Sequence, residues 1–195
     1  MDALLQLDQQ LFQLLNGTWH HPWLDVLLPL WRNKYTWFPF YAAALGWLLY
    51  RFGRQGLWWA LVAALTVGAS DYTSSTLLKK NIGRLRPCKQ AEVRLLVPCG
   101  GAYSFPSSHA ANHFAMACFA ALTLGRRYRR IRIPLLLWAA VVAWAQVYVG
   151  VHFPGDVSFG ALLGSLIGWG AARAALRMAP DSPLFGPRAE NRLGA

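Results

Sequence analysis

Leu4, Leu7, Leu11, Leu14 and Leu15 recur at helical spacing along residues 2–15, with Asp8, Gln9 and Gln10 largely on the opposite side. This pattern predicts an amphipathic helix of the kind that lies in a membrane interface, ended by Asn16-Gly17. Residues 22–34 predict a short second element, broken at Pro29 and too short to span a bilayer. After residue 34 the periodic pattern gives way to continuous apolar runs at 35–51, 57–78, 106–125, 133–151 and 156–177. A membrane-crossing helix needs about 17–25 such residues, so five spans are predicted.

Composition strengthens that reading. The chain has 195 residues, enough for one ordinary domain. Hydrophobic residues make up 55% and charged residues 14%, against about 25% charged in soluble domains. Mean hydropathy is +0.28. The ten tryptophans suit a chain with two membrane–water interfaces. Disorder, collagen, coiled coil and a disulfide scaffold are excluded. The expected fold is an all-α polytopic transmembrane helix bundle with an N-terminal interfacial helix. Residues 1–34 form the interfacial amphipathic region, 35–178 the transmembrane domain and 179–195 a loose cytoplasmic tail.

A net charge of +11 would suggest nucleic acid in a soluble protein. Here the basic residues form short clusters between apolar runs, with no basic helix or RNA-binding motif, so no nucleic-acid partner is expected. Arg51 and Arg54, the group Arg126, Arg127, Arg129, Arg130 and Arg132, and the group Arg173, Arg177, Arg188 and Arg192 alternate with the other loops and read as cytoplasmic. The N-terminus, loop 79–105 and loop 152–155 then face outward. No Lys or Arg precedes Arg32, so no cleavable signal peptide is expected. Loop 79–105 breaks the charge rule with Lys79, Lys80, Arg84, Arg86, Lys89 and Arg94. An anionic ligand is the simplest reason to keep them there.

Three segments at the predicted outer ends of spans carry chemistry: Lys79-x6-Arg86-Pro87, Pro106-Ser107-Ser108-His109 and His152-x3-Asp156. Phosphoryl transfer relies on fixed positive charge around three phosphate oxygens. Lys79 offers a point charge and Arg86 a planar fork. Pro106 suits a first helical turn, which would leave the N–H groups of Ser107, Ser108 and His109 pointing at an anion. Asp156 can hold one nitrogen of His152 and leave the other to attack phosphorus. His109 can protonate a leaving oxygen.

These three motifs, in this order, resemble the type 2 phosphatidic acid phosphatase (PAP2) superfamily of membrane lipid phosphatases, over about residues 5–178. The resemblance implies that Lys79, Arg86, Ser107 and Ser108 bind phosphate, that His152 is the nucleophile, Asp156 its orienting partner and His109 the general acid. It implies no metal and no cofactor. The partners are then the bilayer and a membrane lipid phosphate, and the expected location is the inner (cytoplasmic) membrane, multi-pass, with the site facing the periplasm.

Two positions depart from the family pattern. Ser108 stands where Gly is usual in the second motif. Ala145 and Gln146 stand where the third motif begins Ser-Arg. A neutral Gln146 is expected to face the phosphate and donate one hydrogen bond, with Arg84 or Lys80 supplying the missing charge. Undecaprenyl pyrophosphate is the favoured substrate. A phosphatidylglycerophosphate or phosphatidic acid phosphatase, a lipid phosphotransferase and a catalytically weak lipid-phosphate binding protein are the alternatives. A transporter is disfavoured by the lack of an inverted repeat. Asp71, inside the second run, is expected to be a structural partner in a buried polar network. His113 packs near the site rather than binding zinc, since no carboxylate follows it on its helix. Cys88 and Cys99 lie in the outer loop and can form a bridge contributing about 3 kcal/mol; the alternative is two free thiols. Cys118 is expected to be unpaired.

Overall fold

The computed structural model describes residues 2–90 and 92–186. The elements in order are α1 (Asp2–Phe12), α2 (Pro22–Arg32), α3 (Lys34–Phe52), α4 (Arg54–Asp71), α5 (Lys79–Ile82), α6 (Pro87–Gln90), α7 (Ser108–Leu122), α8 (Leu124–Arg127), α9 (Arg132–Tyr148) and α10 (Pro154–Met178). A π-helical stretch, Tyr72–Leu78, joins α4 to α5. Each of the five apolar runs of the sequence overlaps one long helix: α3, α4, α7, α9 and α10. Two stretches, Arg129–Tyr148 and Pro154–Met178, have both the length and the mean hydropathy, 1.5 and 1.3, to cross a membrane.

Two expectations need correction. α2 does not break at Pro29, which lies inside the helix. Proline removes one backbone donor, and packing overrides the loss: Leu28 beside it is 1% exposed and sits with Ala145, Tyr148 and Val149 of the α9 end. Nor do residues 179–186 form a loose end. Leu184 and Phe185 are buried among Leu48, Trp59 and Phe119, and Ser182 Oγ donates to Gln55 Oε1 at 3.1 Å. The rest of the expected tail, with Arg188 and Arg192, lies outside the described residues.

The α7–α10 pair sets the architecture of the site. Gly160, Gly164 and Gly168 recur every fourth residue along α10. A Cβ at these positions would run into the carbonyl oxygens of Ser107, Ala111 and Ala115 respectively. Small residues at this spacing let two helix backbones approach closely. The N-termini of α7 and α10 are therefore brought together, and with them the Ser107–His109 and His152–Asp156 segments.

Loop 83–104 folds back beside them. Ser104 N–H donates to the Arg84 carbonyl at 2.7 Å and Arg86 N–H to the Ala102 carbonyl at 3.1 Å. The Cys88–Cys99 disulfide closes this loop with a Cα–Cα distance of 6.1 Å, while Cys118 is unpaired. Asn16, 2% exposed, ties the N-terminal region to the loop and to α9. Its Nδ2 donates to the carbonyls of Arg94 (2.8 Å) and Tyr148 (2.7 Å), and its Oδ1 accepts from Arg94 N–H.

Candidate active site

His152 lies in the turn between α9 and α10 and is 1% exposed. Its backbone N–H donates to the Gln146 carbonyl at 3.2 Å. Nδ1 stands 3.5 Å from Asp156 Oδ2, the outer limit of a hydrogen bond, and has no closer partner among the described residues. Such contacts are often long in an unliganded site. Nε2 stands 3.4 Å from Arg86 Nη1. Arginine only donates, so this contact favours the tautomer with the proton on Nδ1, facing the carboxylate, and a lone pair on Nε2. Burial pushes the imidazole down to about 4; Asp156 opposes that shift, and Arg86 and Lys79 add to it.

Asp156 is fully buried and serves three groups. Oδ2 accepts from Phe153 N–H at 2.8 Å, capping α10. Oδ1 accepts from Arg84 Nη1 at 2.8 Å. The third group is His152. Arg84 is thereby neutralised twice, because its Nη2 also donates to Asp8 Oδ2 at 2.6 Å, and its guanidinium lies 4.1 Å from the Phe153 ring centroid. Asp8 in turn accepts from Gly155 N–H at 2.7 Å. Thus α1, expected to lie on the membrane surface, contributes a carboxylate to the wall of the site, 76 residues from its arginine partner. The sequence carries no local signal for that pairing.

The second motif differs in detail from the expectation. Pro106 precedes α7 instead of starting it; Ser107 is the N-cap, and its Oγ accepts from Ala110 N–H at 3.4 Å. The Ser107 N–H is already used by the Asp156 carbonyl at 3.0 Å, which locks the starts of α7 and α10 together. The N–H groups of Ser108 and His109 open the helix, where orphan donors attract an anion. Ser108 Oγ and Arg86 Nε are buried without a partner among the described residues. His109 shares the electrostatic neighbourhood of Arg32, His113, His152 and Lys79. The His113 ring packs on Trp138 at 4.8 Å, and its Nδ1 lies 2.8 Å from the His109 carbonyl. Asp71 accepts from Asn112 Nδ2 at 2.8 Å, joining the end of α4 to the start of α7, but the carboxylate and this bond are exposed, so the expected buried network is not what holds it.

Lys79 and Arg86 lie on opposite sides of the Gly83 turn and are half-buried. Neither has a carboxylate within ion-pair distance among the described residues. Burial pushes Lys79 down to about 8, and Arg86 adds to that shift. Gln146 is fully buried but does not present its amide N–H₂ to an anion. Its Oε1 accepts from Arg32 Nε (3.2 Å) and Nη2 (3.1 Å), and its Nε2 turns back to the Val142 carbonyl at 3.5 Å. Lys80 is exposed and Arg84 is spent on two carboxylates, so neither fills the charge gap.

Residues 56–178 match the PAP2 superfamily. The lipid A 4'-phosphatase of Bacteroides thetaiotaomicron is 32% identical, covering 95% of this chain and 86% of its own length. The undecaprenyl-diphosphatase of Sulfolobus acidocaldarius is 31% identical over 74% of this chain and 66% of its own. In fold, the chain is similar to the crystal structure of the PAP2-type phosphatidylglycerolphosphate phosphatase from Bacillus subtilis (TM-score 0.74, 23% identity, 91% of this chain and 89% of that one). The chain belongs to the PAP2 superfamily and is a membrane lipid phosphatase.

Proposed function

We propose that this enzyme hydrolyses a phosphate monoester on a glycolipid headgroup of the lipid A 4'-phosphate kind, through a phosphohistidine on His152, at the outer face of a five-span bundle. The observation that carries the mechanism is the buried His152 ring set between Asp156 and Arg86, with Nε2 as the atom facing the cationic cluster. Nε2 attacks phosphorus while the P–O bond to the lipid breaks, and His109 gives its proton to the departing oxygen. Water then attacks phosphorus, losing a proton to His109, as the bond from phosphorus to Nε2 of His152 breaks, which releases inorganic phosphate and frees the imidazole. Lys79, Arg86 and the N–H groups of Ser108 and His109 hold the phosphate oxygens. Charge stabilisation of this kind dominates phosphoryl transfer.

The substrate assignment draws on the lipid A 4'-phosphatase relative, which matches nearly the whole chain. Undecaprenyl pyrophosphate, favoured from the sequence, stays as the second reading because an undecaprenyl-diphosphatase is also similar; the same residues could take its terminal phosphate. The test is phosphate release by purified protein in detergent and EDTA, with lipid A, undecaprenyl pyrophosphate, phosphatidylglycerophosphate and phosphatidic acid. Release is expected to be fastest from lipid A and to persist in EDTA, since side chains supply the positive charge. Fastest release from undecaprenyl pyrophosphate would select the second reading. Loss of activity in EDTA with recovery in Mg²⁺ would contradict the mechanism.

A further inference from the structure

Where the family pattern places an arginine on the helix leading to the nucleophile, this chain has Gln146, and a guanidinium arrives there from another element. Arg32 ends α2, and two of its nitrogens converge on the Gln146 amide oxygen at 3.1 and 3.2 Å. Because arginine has only donors, the facing Gln146 atom must be oxygen. Gln146 is itself fixed to the centre: its backbone carbonyl accepts the N–H groups of Val151 and His152, both at 3.2 Å. The path from Arg32 to the His152 ring therefore runs through one buried residue.

Arg32 is half-buried yet has no carboxylate within ion-pair distance among the described residues. It is close enough to Arg86 and His109 to be felt by both. A like-charged pair costs energy when desolvated. Asp8 and Asp156, the carboxylates beside the centre, are engaged with Arg84. Arg32, Lys79 and Arg86 thus form a group of cations awaiting a multiply charged anion.

We propose that Arg32 is a phosphate-binding residue of this enzyme, supplied by α2 and aimed by Gln146 in place of the arginine missing from α9. Gln146 is then a positioning residue, and α2 is part of the catalytic apparatus. The inference rests on the phosphatase reading above and adds a residue to it.

The experiment measures kcat/KM for phosphate release and the inhibition constant of orthovanadate for wild type, Arg32→Ala, Gln146→Arg and the double variant. Arg32→Ala is expected to lower kcat/KM by about 10- to 100-fold, the range for losing a hydrogen bond from a charged donor, and to weaken vanadate by a similar factor. Gln146→Arg alone is expected to lower activity several-fold, because two guanidinium groups would face each other. In the Arg32→Ala background the same change is expected to restore most of the activity and the vanadate affinity. If Arg32→Ala fails to fold, Arg32→Gln keeps a donor to Gln146 without the charge and carries the same expectation of loss. Vanadate affinity left unmoved, whether or not turnover falls, would overturn the proposal, as would a folded double variant no better than the single one. Wild type with no activity on any phosphorylated lipid would instead defeat the phosphatase reading.

Discussion

At one end of the bundle Arg126, Arg129, Arg130 and Arg132 are exposed; Arg132 donates to the Gly125 carbonyl at 2.8 Å, and Arg127 donates to the Pro183 carbonyl at 3.1 Å and to the Tyr128 hydroxyl at 3.3 Å. At the other end Arg32, Lys79 and Arg86 are half-buried, Arg86 is close enough to be felt by the other two, and none has an ion-pair partner among the described residues. Both ends are rich in positive charge, so charge count does not identify the site. Water solvates the first cluster at little cost. The second is held against its own repulsion and desolvation, which a packed fold can sustain when a bound anion compensates.

The sharpest way to break this contrast is at its centre. His152→Ala is expected to reduce kcat by about 10⁴-fold or more, as for loss of a nucleophile, with the helical circular dichroism unchanged; substantial residual turnover would remove His152 from its role. Next in size, Gly164→Leu drives a side chain into the Ala111 carbonyl. It is expected to destabilise the protein by about 3 kcal/mol and to lower activity, because α7 and α10 jointly place His109 and His152. A thermal melt of the detergent-solubilised variant checks this, and a wild-type midpoint would show that the contact yields.

Asp8→Asn leaves Arg84 with only Asp156 and slackens α1. The expected losses are about 2 kcal/mol of stability and several-fold in kcat. The pH profile is a finer probe. His152 must be neutral to attack, and with its ring pushed down to about 4 it stays neutral until the pH falls through that value. Lys79, pushed down to about 8, loses its charge as the pH rises past it. The acid limb of kcat/KM is expected to follow His152, and the alkaline limb to reflect loss of a proton from Lys79 or from the general acid His109; an alkaline limb moved upward by Lys79→Arg would assign it to Lys79, and one unmoved would assign it to His109. The smallest effect belongs to the exposed end. Arg126→Gln with Arg129→Gln and Arg130→Gln is expected to change kcat/KM by less than about 2-fold.

Much of this arrangement was legible in the sequence for local reasons. Continuous apolar runs marked α3, α4, α7, α9 and α10, and three short motifs marked segments that the fold brings together. What was not legible depends on partners distant in sequence. Asp8 meets Arg84 and Arg32 meets Gln146 across 76 and 114 residues, and nothing in the local pattern announces either pair. Pro29 read as a break because a helix interior loses a donor there; burial of Leu28 against the end of α9 outweighs that loss. The four-residue recurrence of Gly160, Gly164 and Gly168 takes its meaning from Ala111 and Ala115 on the facing helix. Leu184 and Phe185 follow a proline in a polar stretch, yet they fill the core between α4 and α7.

The buried cationic end is proposed to transfer phosphate through His152. The direct measurement is a rapid acid-free quench of the enzyme with phosphate-labelled lipid substrate, followed by peptide mapping. The expected label is stable in alkali and lost in acid, confined to the peptide bearing His152, absent in His152→Ala and accumulates before free phosphate appears. Turnover with no labelled histidine, or a label on another residue, would contradict it.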